Sequence, residues 1–197
     1  MFKSRWSRFA AVSLAFCFVV AILNACEPKP DNGTGPTPVL SGQPKTALPM
    51  PPLKGGPSLA QMGWDSDDGK HSTISSYQDH VLVLDFYATW CAPCRDSVPH
   101  LVDLEKRYGP QGLVVIGLNV GGPDDRAEVP GFAREFKIRY QLGFPEKALS
   151  DLLMADSDAI PQTFVFDRKG RLVQRYVGFG YSTADELEET IKAALKS

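Results

Sequence analysis

Cys91 and Cys94 stand three residues apart behind Trp90, in the stretch LDFYATWCAPCRDSVP (Leu84–Pro99). Two thiols at that spacing can form half of a zinc site, close a structural disulfide, serve as a nucleophile or shuttle electrons as a dithiol. The backbone around them favours the last of these. Pro93 suits the first turn of a helix, where its missing N–H removes no hydrogen bond. Cys91 is then placed at or next to a helix N-terminus, where free N–H groups and the macrodipole favour an anion. Stabilising the thiolate by about 2 kcal/mol lowers the thiol pKa by about 1.5 units, from roughly 8.5 toward neutrality. Cys94, about one turn further on, is the more shielded thiol. The asymmetry predicts that Cys91 attacks a disulfide and Cys94 resolves the mixed disulfide. Asp85 lies six residues before Cys91 on an apolar stretch. A carboxylate among Val, Leu and Phe is costly unless paired or put to use. Burial raises its pKa, which makes it a candidate acid/base partner for Cys94. The alternative is that Asp85 turns outward or pairs with Lys106 or Arg107.

The elements that must position these groups can be read from apolar patterning. His80–Ala88 (HVLVLDFYA) and Gly112–Val120 (GLVVIGLNV) read as buried strands. Val98, Leu101, Val102 and Leu104 give the helix after the cysteines its apolar side. Val129, Phe132 and Phe136 mark a second helix. QTFVFD, the turn RKG and RLVQRYVGF form a hairpin over Gln162–Phe179. Ser182 and Asp185 look like a capping box opening a last helix, with Leu187, Ile191 and Leu195 inward. The order β-α-β-α-β-β-α predicts an α/β fold, a mixed central sheet with helices on both faces. Trp64 and Tyr77 read as packing residues, and Asp124 with Asp125 as a solvated turn.

The chain has 197 residues and a net charge of −2, with no basic patch. That excludes electrostatically driven nucleic-acid binding. Lys3, Arg5 and Arg8 precede an apolar run from Phe9 to Leu23, too short to span a bilayer comfortably and suited to a secretory signal. LNAC (Leu23–Cys26) resembles a bacterial lipobox, with Asn24 a departure from its usual residue. Residues 1–25 are therefore expected to be a lipoprotein signal peptide and Cys26 the lipidated first residue of the mature chain; an uncleaved anchor is the alternative. Either places the remainder outside the cytoplasm, on a membrane of a bacterial cell envelope, facing the periplasm or extracytoplasmic space. Nine of the sixteen prolines fall between Glu27 and Pro57, so residues 26–57 read as a semi-rigid tether. Cys17 leaves with the signal and Cys26 becomes a thioether, so Cys91 and Cys94 remain the only thiols.

DFYATWCAPC, followed five residues on by Pro99, resembles a thioredoxin-fold active site. The lead-in DSDDGKHSTISSYQDHVLVLDFYATWCAPC, the strand GLVVIGLNV with the segment through FKIRYQLGFP, and AIPQTFVFDRKGRLVQRYVGF resemble the membrane-tethered, exported TlpA/ResA group of thioredoxin-like reductases. The resemblance covers residues 58–197. It implies a thioredoxin fold with an N-terminal extension and a central insertion, Cys91 as nucleophile and Cys94 as resolving thiol, with Trp90 shielding the pair. It further implies that Pro161 is a cis-proline facing the disulfide and that the Ile160 backbone pairs with a substrate chain. Trp90, Pro93, Ile160 and Pro161 are the expected substrate-binding residues. Two positions depart from the group. Ser97 stands where a glutamate is common, and Asp85 where Asn is common, so the acid/base group sits where ordinary thioredoxins have it.

The expected activity is reduction of disulfides in extracytoplasmic protein substrates, with a membrane electron donor restoring the dithiol and no cofactor beyond the Cys91–Cys94 pair. Two other readings stay open. A soft thiol pair suits Cu(I), and hence metal-site assembly. A peroxiredoxin-like peroxidase would need Thr three residues before its reactive cysteine and Pro four before that, where Ala88 and Leu84 stand. Zinc requires four ligands, and His71, His80 and His100 are scattered with no second CxxC.

Overall fold

The computed structural model describes residues 58–197. The expected signal peptide, Cys26 and the proline-rich tether lie outside the described residues. In chain order the strands are β1 (Gly63–Ser66), β2 (His71–Thr73), β3 (Val81–Tyr87), β4 (Leu113–Asn119), β5 (Gln141–Pro145), β6 (Gln162–Phe166) and β7 (Leu172–Val177). The helices are α1 (Ala92–Tyr108), α2 (Val129–Phe136), α3 (Lys147–Leu153) and α4 (Tyr181–Leu195), with short 3-10 turns between elements.

The seven strands form one sheet in the order β2-β1-β5-β4-β3-β6-β7. β3 runs parallel to β4 and antiparallel to β6, so the sheet is mixed. All seven residues of β3 are buried, as a strand covered on both faces must be. Their alternation divides the core in two. Leu82, Leu84 and Phe86 join Ile116, Leu118, Phe164 and Phe166 on the face covered by α3. Val81, Val83 and Tyr87 point to the other face, among Val98, Leu101 and Leu104 of α1, Phe132 of α2 and Leu187 and Ile191 of α4. Each such side chain contributes about 1.5–3 kcal/mol relative to exposure, which anchors β3 and the loop that follows it.

Helices on both faces agree with the sequence reading, but the element count does not. The short strands β1, β2 and β5 and the helix α3 were not predicted. β1 and β2 form an antiparallel hairpin that joins the main sheet through β5. Trp64 on β1 is fully buried and stacks on Tyr77 at 5.6 Å between centroids, so both are packing residues. The predicted capping box is corrected. α4 starts at Tyr181, with Gly180 as N-cap and no side-chain cap. Ser182 is therefore already helical, whereas a capping serine needs an extended backbone.

Candidate active site

β3 ends at Tyr87, and after Ala88, Thr89 and Trp90 the chain turns into α1. Cys91 is the N-cap of that helix, with extended backbone angles (φ −78°, ψ 111°), and Pro93 occupies its first turn. The Cys94 N–H donates to Cys91 Sγ over 3.2 Å. One of the helix's unpaired amides is thus aimed at this sulfur, the arrangement that favours a thiolate in the reduced protein. Cys91 and Cys94 are joined as a disulfide. Cys94 is fully buried and Cys91 slightly exposed, while Trp90 beside them is 67% exposed. α1 continues through Pro99 to Tyr108. Ser97, at the position of the missing glutamate, is buried, and its hydroxyl donates to the Cys94 carbonyl at 2.8 Å.

The Ile160–Pro161 peptide is cis. Cys91 Sγ lies 3.7 Å from the Ile160 carbonyl oxygen, so this loop faces the disulfide. Gln162 shapes the loop from behind: its amide donates to the Ser157 and Ala159 carbonyls at 2.8 and 2.7 Å. The Pro161 carbonyl accepts from the Gly178 N–H at 2.8 Å, tying the loop to the end of β7.

Asp85 points to the α1 side of the sheet and is 1% exposed. Its Oδ1 accepts from the Thr163 hydroxyl at 2.8 Å, and its Oδ2 is buried without a hydrogen-bond partner. Burial pushes its pKa up to about 7, outweighing the opposing effect of the bond from Thr163. The alternative placement is excluded, because Asp85 is buried rather than turned outward, Lys106 is exposed, and Arg107 bonds Asp103 and Glu188 instead. Nor does β4 supply a charged partner. The residue registered against Asp85 is Gly117, where an added Cβ would stand 2.6 Å from Leu142 Cδ2 and 3.3 Å from the rings of Tyr140 and Tyr87.

One sequence expectation is overturned on the rim of the site. Asp125 is not a solvated turn residue. It is buried, accepting from the Thr89 N–H at 2.9 Å, from the Thr89 hydroxyl and from Asn119 Nδ2 at 2.7 Å. Burial pushes its pKa up, but the Thr89 hydroxyl, the Thr89 N–H and the Asn119 amide together hold it below the usual carboxylate range. Thr89 is also held by its carbonyl, which accepts from Arg95 Nη1 at 3.1 Å. The sequence reading gives Asp125 no role at the site and does not single out Arg95. Thr163 lies within AIPQTFVFD and Asn119 within GLVVIGLNV, but no pattern distinguishes their side chains. Among the described residues, no group of three or more His, Cys, Asp or Glu side chains gathers as a metal site.

Residues 56–175 match the model of the AhpC/TSA family. Among curated proteins, the chain is 27% identical over 126 residues to the thiol-disulfide oxidoreductase ResA of Geobacillus kaustophilus, covering 64% of this chain and 69% of that one. Among solved structures, it resembles a putative thiol:disulfide interchange protein DsbE from Chlorobium tepidum at 27% identity and a TM-score of 0.61, over 69% of this chain and 94% of that one. A thioredoxin family thiol:disulfide interchange protein from Chlorobium tepidum TLS is 25% identical, with a TM-score of 0.60 over 71% and 97%. The chain therefore belongs to the AhpC/TSA family, with a thioredoxin fold built around the cysteine pair of a thiol-disulfide oxidoreductase.

Proposed function

We propose that this thiol-disulfide oxidoreductase works as a reductase of protein disulfides outside the cytoplasm, held to a membrane through lipidated Cys26. The observation that carries the direction of attack is the Cys94 N–H aimed at Cys91 Sγ at the start of α1. In the reduced protein, the Cys91 thiolate attacks one sulfur of a substrate disulfide. A Cys91–substrate disulfide forms, and the first substrate thiolate leaves. The Asp85 carboxylate then takes the proton of Cys94, whose thiolate attacks Cys91 Sγ and expels the second substrate thiolate. The substrate gains two electrons and the Cys91–Cys94 disulfide forms. A membrane electron donor returns two electrons to the pair.

An extended polypeptide suits the surroundings. Among the described residues, the large apolar side chains most open to solvent are Trp90, Val177 and Tyr181. Trp90 precedes the nucleophile, and Val177 is registered against Gln162, next to cis-Pro161. Ile160 and Pro161 would present backbone for strand-like pairing, with Trp90 and Pro93 bordering the sulfur. A peroxidase reading lacks its hydroxyl, since Ala88 stands at that position and the neighbouring Thr89 hydroxyl is committed to Asp125.

Direction is tested by the equilibrium reduction potential of the pair in the full chain, with Cu(I) titrated into the reduced protein. A value near about −270 mV or below is expected for a reductant. A value near about −120 mV would mark an oxidant and overturn the proposal. Cu(I) held tightly enough to block exchange would favour metal-site assembly instead. The anchor is tested separately. Cys26→Ser is expected to move the chain from the membrane fraction to the soluble one and to end its labelling by palmitate; an unchanged distribution would remove Cys26 from the proposal.

A further inference from the structure

Asp125 stands in the insertion between β4 and α2, on a 3-10 turn over Asp124–Glu128. A buried carboxylate is unfavourable unless its lone pairs are filled, and this one is filled entirely from the active-site end of the sheet. Two donors are the N–H and hydroxyl of Thr89, and the third is Asn119, the last residue of β4. The amide of Asn119 is oriented for this, because its Oδ1 accepts from the Gly121 N–H at 3.2 Å, leaving Nδ2 toward Asp125. Gly121 itself makes room for the carboxylate: an added Cβ there would stand 2.2 Å from Asp125 Oδ2.

The remaining polar group of Thr89, its carbonyl, is held by Arg95. That guanidinium pairs with Glu135 of α2 and lies over the Phe136 ring at 4.9 Å from its centroid. Thr89 is thus held on both sides: Asp125 of the insertion takes its N–H and hydroxyl, and Arg95 of α1, braced by Glu135, takes its carbonyl. Only Trp90 separates Thr89 from Cys91, whose own N–H donates to the Ala88 carbonyl at 3.2 Å. Freedom at Thr89 would be transmitted directly to the N-cap sulfur.

We infer that Asp125 is a positioning residue for Cys91, acting through Thr89 to hold the Thr89–Cys91 turn where Cys91 Sγ meets the Cys94 N–H. The inference rests on the reading of Cys91 as nucleophile. Without the clamp the turn loosens and the thiolate loses its amide partner, so Cys91 becomes both less ionised and less well aimed.

The test uses the full chain, reduced, with two readouts: the pH profile of Cys91 alkylation by iodoacetamide and the rate of insulin disulfide reduction. Asp125→Ala is expected to shift the alkylation profile upward by about one unit, about fivefold less thiolate at neutral pH for a thiol that titrates near 7, and with the poorer aim to slow reduction roughly tenfold. Asp125→Asn keeps an acceptor oxygen for Thr89 while removing the charge, and should stay within about threefold of the natural protein. A natural profile and rate in Asp125→Ala, or an equal loss in Asp125→Ala and Asp125→Asn, overturns the inference. Should Asp125→Ala not fold, Thr89→Val removes the hydroxyl arm alone. It is expected to shift the profile in the same direction, and a natural profile there overturns the inference as well. Cys91→Ser run beside these separates the two levels: if it retains the reductase activity the nucleophile assignment fails, whatever Asp125 does.

Discussion

Cys91→Ser is expected to abolish disulfide reduction, by at least about a thousandfold, while Cys94→Ala leaves a protein that reacts once and stays bonded to its substrate. The two cysteines differ in access and in environment, and both differences point the same way. Cys91 is at the N-cap, receives the Cys94 N–H and is the less buried of the pair; Cys94 is fully enclosed by core side chains. A serine hydroxyl stays protonated at neutral pH even with a helix N-terminus beside it, so the attacking anion is lost. Alanine at position 94 leaves the Cys91 thiolate in place but removes the group that expels the second substrate sulfur, so the mixed disulfide persists. The measurement is a non-reducing gel of tagged full-length chain from cells. Cys94→Ala should give substrate-dependent bands that collapse on reduction, and Cys91→Ser none. Trapping by the Cys91 variant with none by the Cys94 variant would reverse the roles. Full activity in both single variants would remove the dithiol from the reaction.

The parts of this site that sequence made legible are those with a strong local signature. The unbroken apolar runs of β3 and β4 leave few options but buried strands, and the alternation around Asp85 places its carboxyl opposite Leu84 and Phe86. Pro93 behind Cys91 marks the helix start. What stayed hidden is decided by partners distant in the chain. β5 is five residues long and contains a glycine and a proline, with no pattern of its own. It exists because β4 and β1 flank it, and Gly143 is needed there because a Cβ would stand 2.7 Å from the Asp65 carbonyl oxygen. Asp124 and Asp125 are the sharper case. As neighbours of one residue type they are indistinguishable in sequence, yet Asp124 is exposed while Asp125 is buried against Thr89. Only the register of β4 beside β3, which brings Asn119 level with Tyr87, creates the place that Asp125 fills.

Asp85→Asn is expected to stabilise the protein above neutral pH while slowing its turnover there. The carboxyl has an ordinary value of 3.8 and is held at about 7 in the folded chain by burial, with one hydrogen bond from Thr163 and an unpartnered Oδ2. The folded state therefore holds a proton that the unfolded state has released, so stability declines as pH rises from about 4 to about 7 and levels off beyond. Well below pH 4 both states are protonated. The neutral acid and the amide each keep an acceptor for Thr163, but the acid leaves one buried O–H unpaired and the amide two N–H groups, so the amide starts the less favourable of the two. The variant should gain on the natural protein by as much as about 4 kcal/mol between there and pH 8, the equivalent of some three pKa units. Urea melts across that range measure it, and parallel stability curves would show that Asp85 is not buried as a charge in solution. Kinetics test the other half. An amide accepts no proton from Cys94, so the inflection near neutrality expected in the natural enzyme's resolving step should disappear, with a rate loss of about 10²-fold where the carboxylate had been the base. A more stable variant with an unchanged rate profile between about pH 6 and 9 would leave Asp85 a buried acid with no part in the exchange. A more stable variant that has lost the inflection assigns the energetic burden of this carboxylate to the chemistry of Cys94.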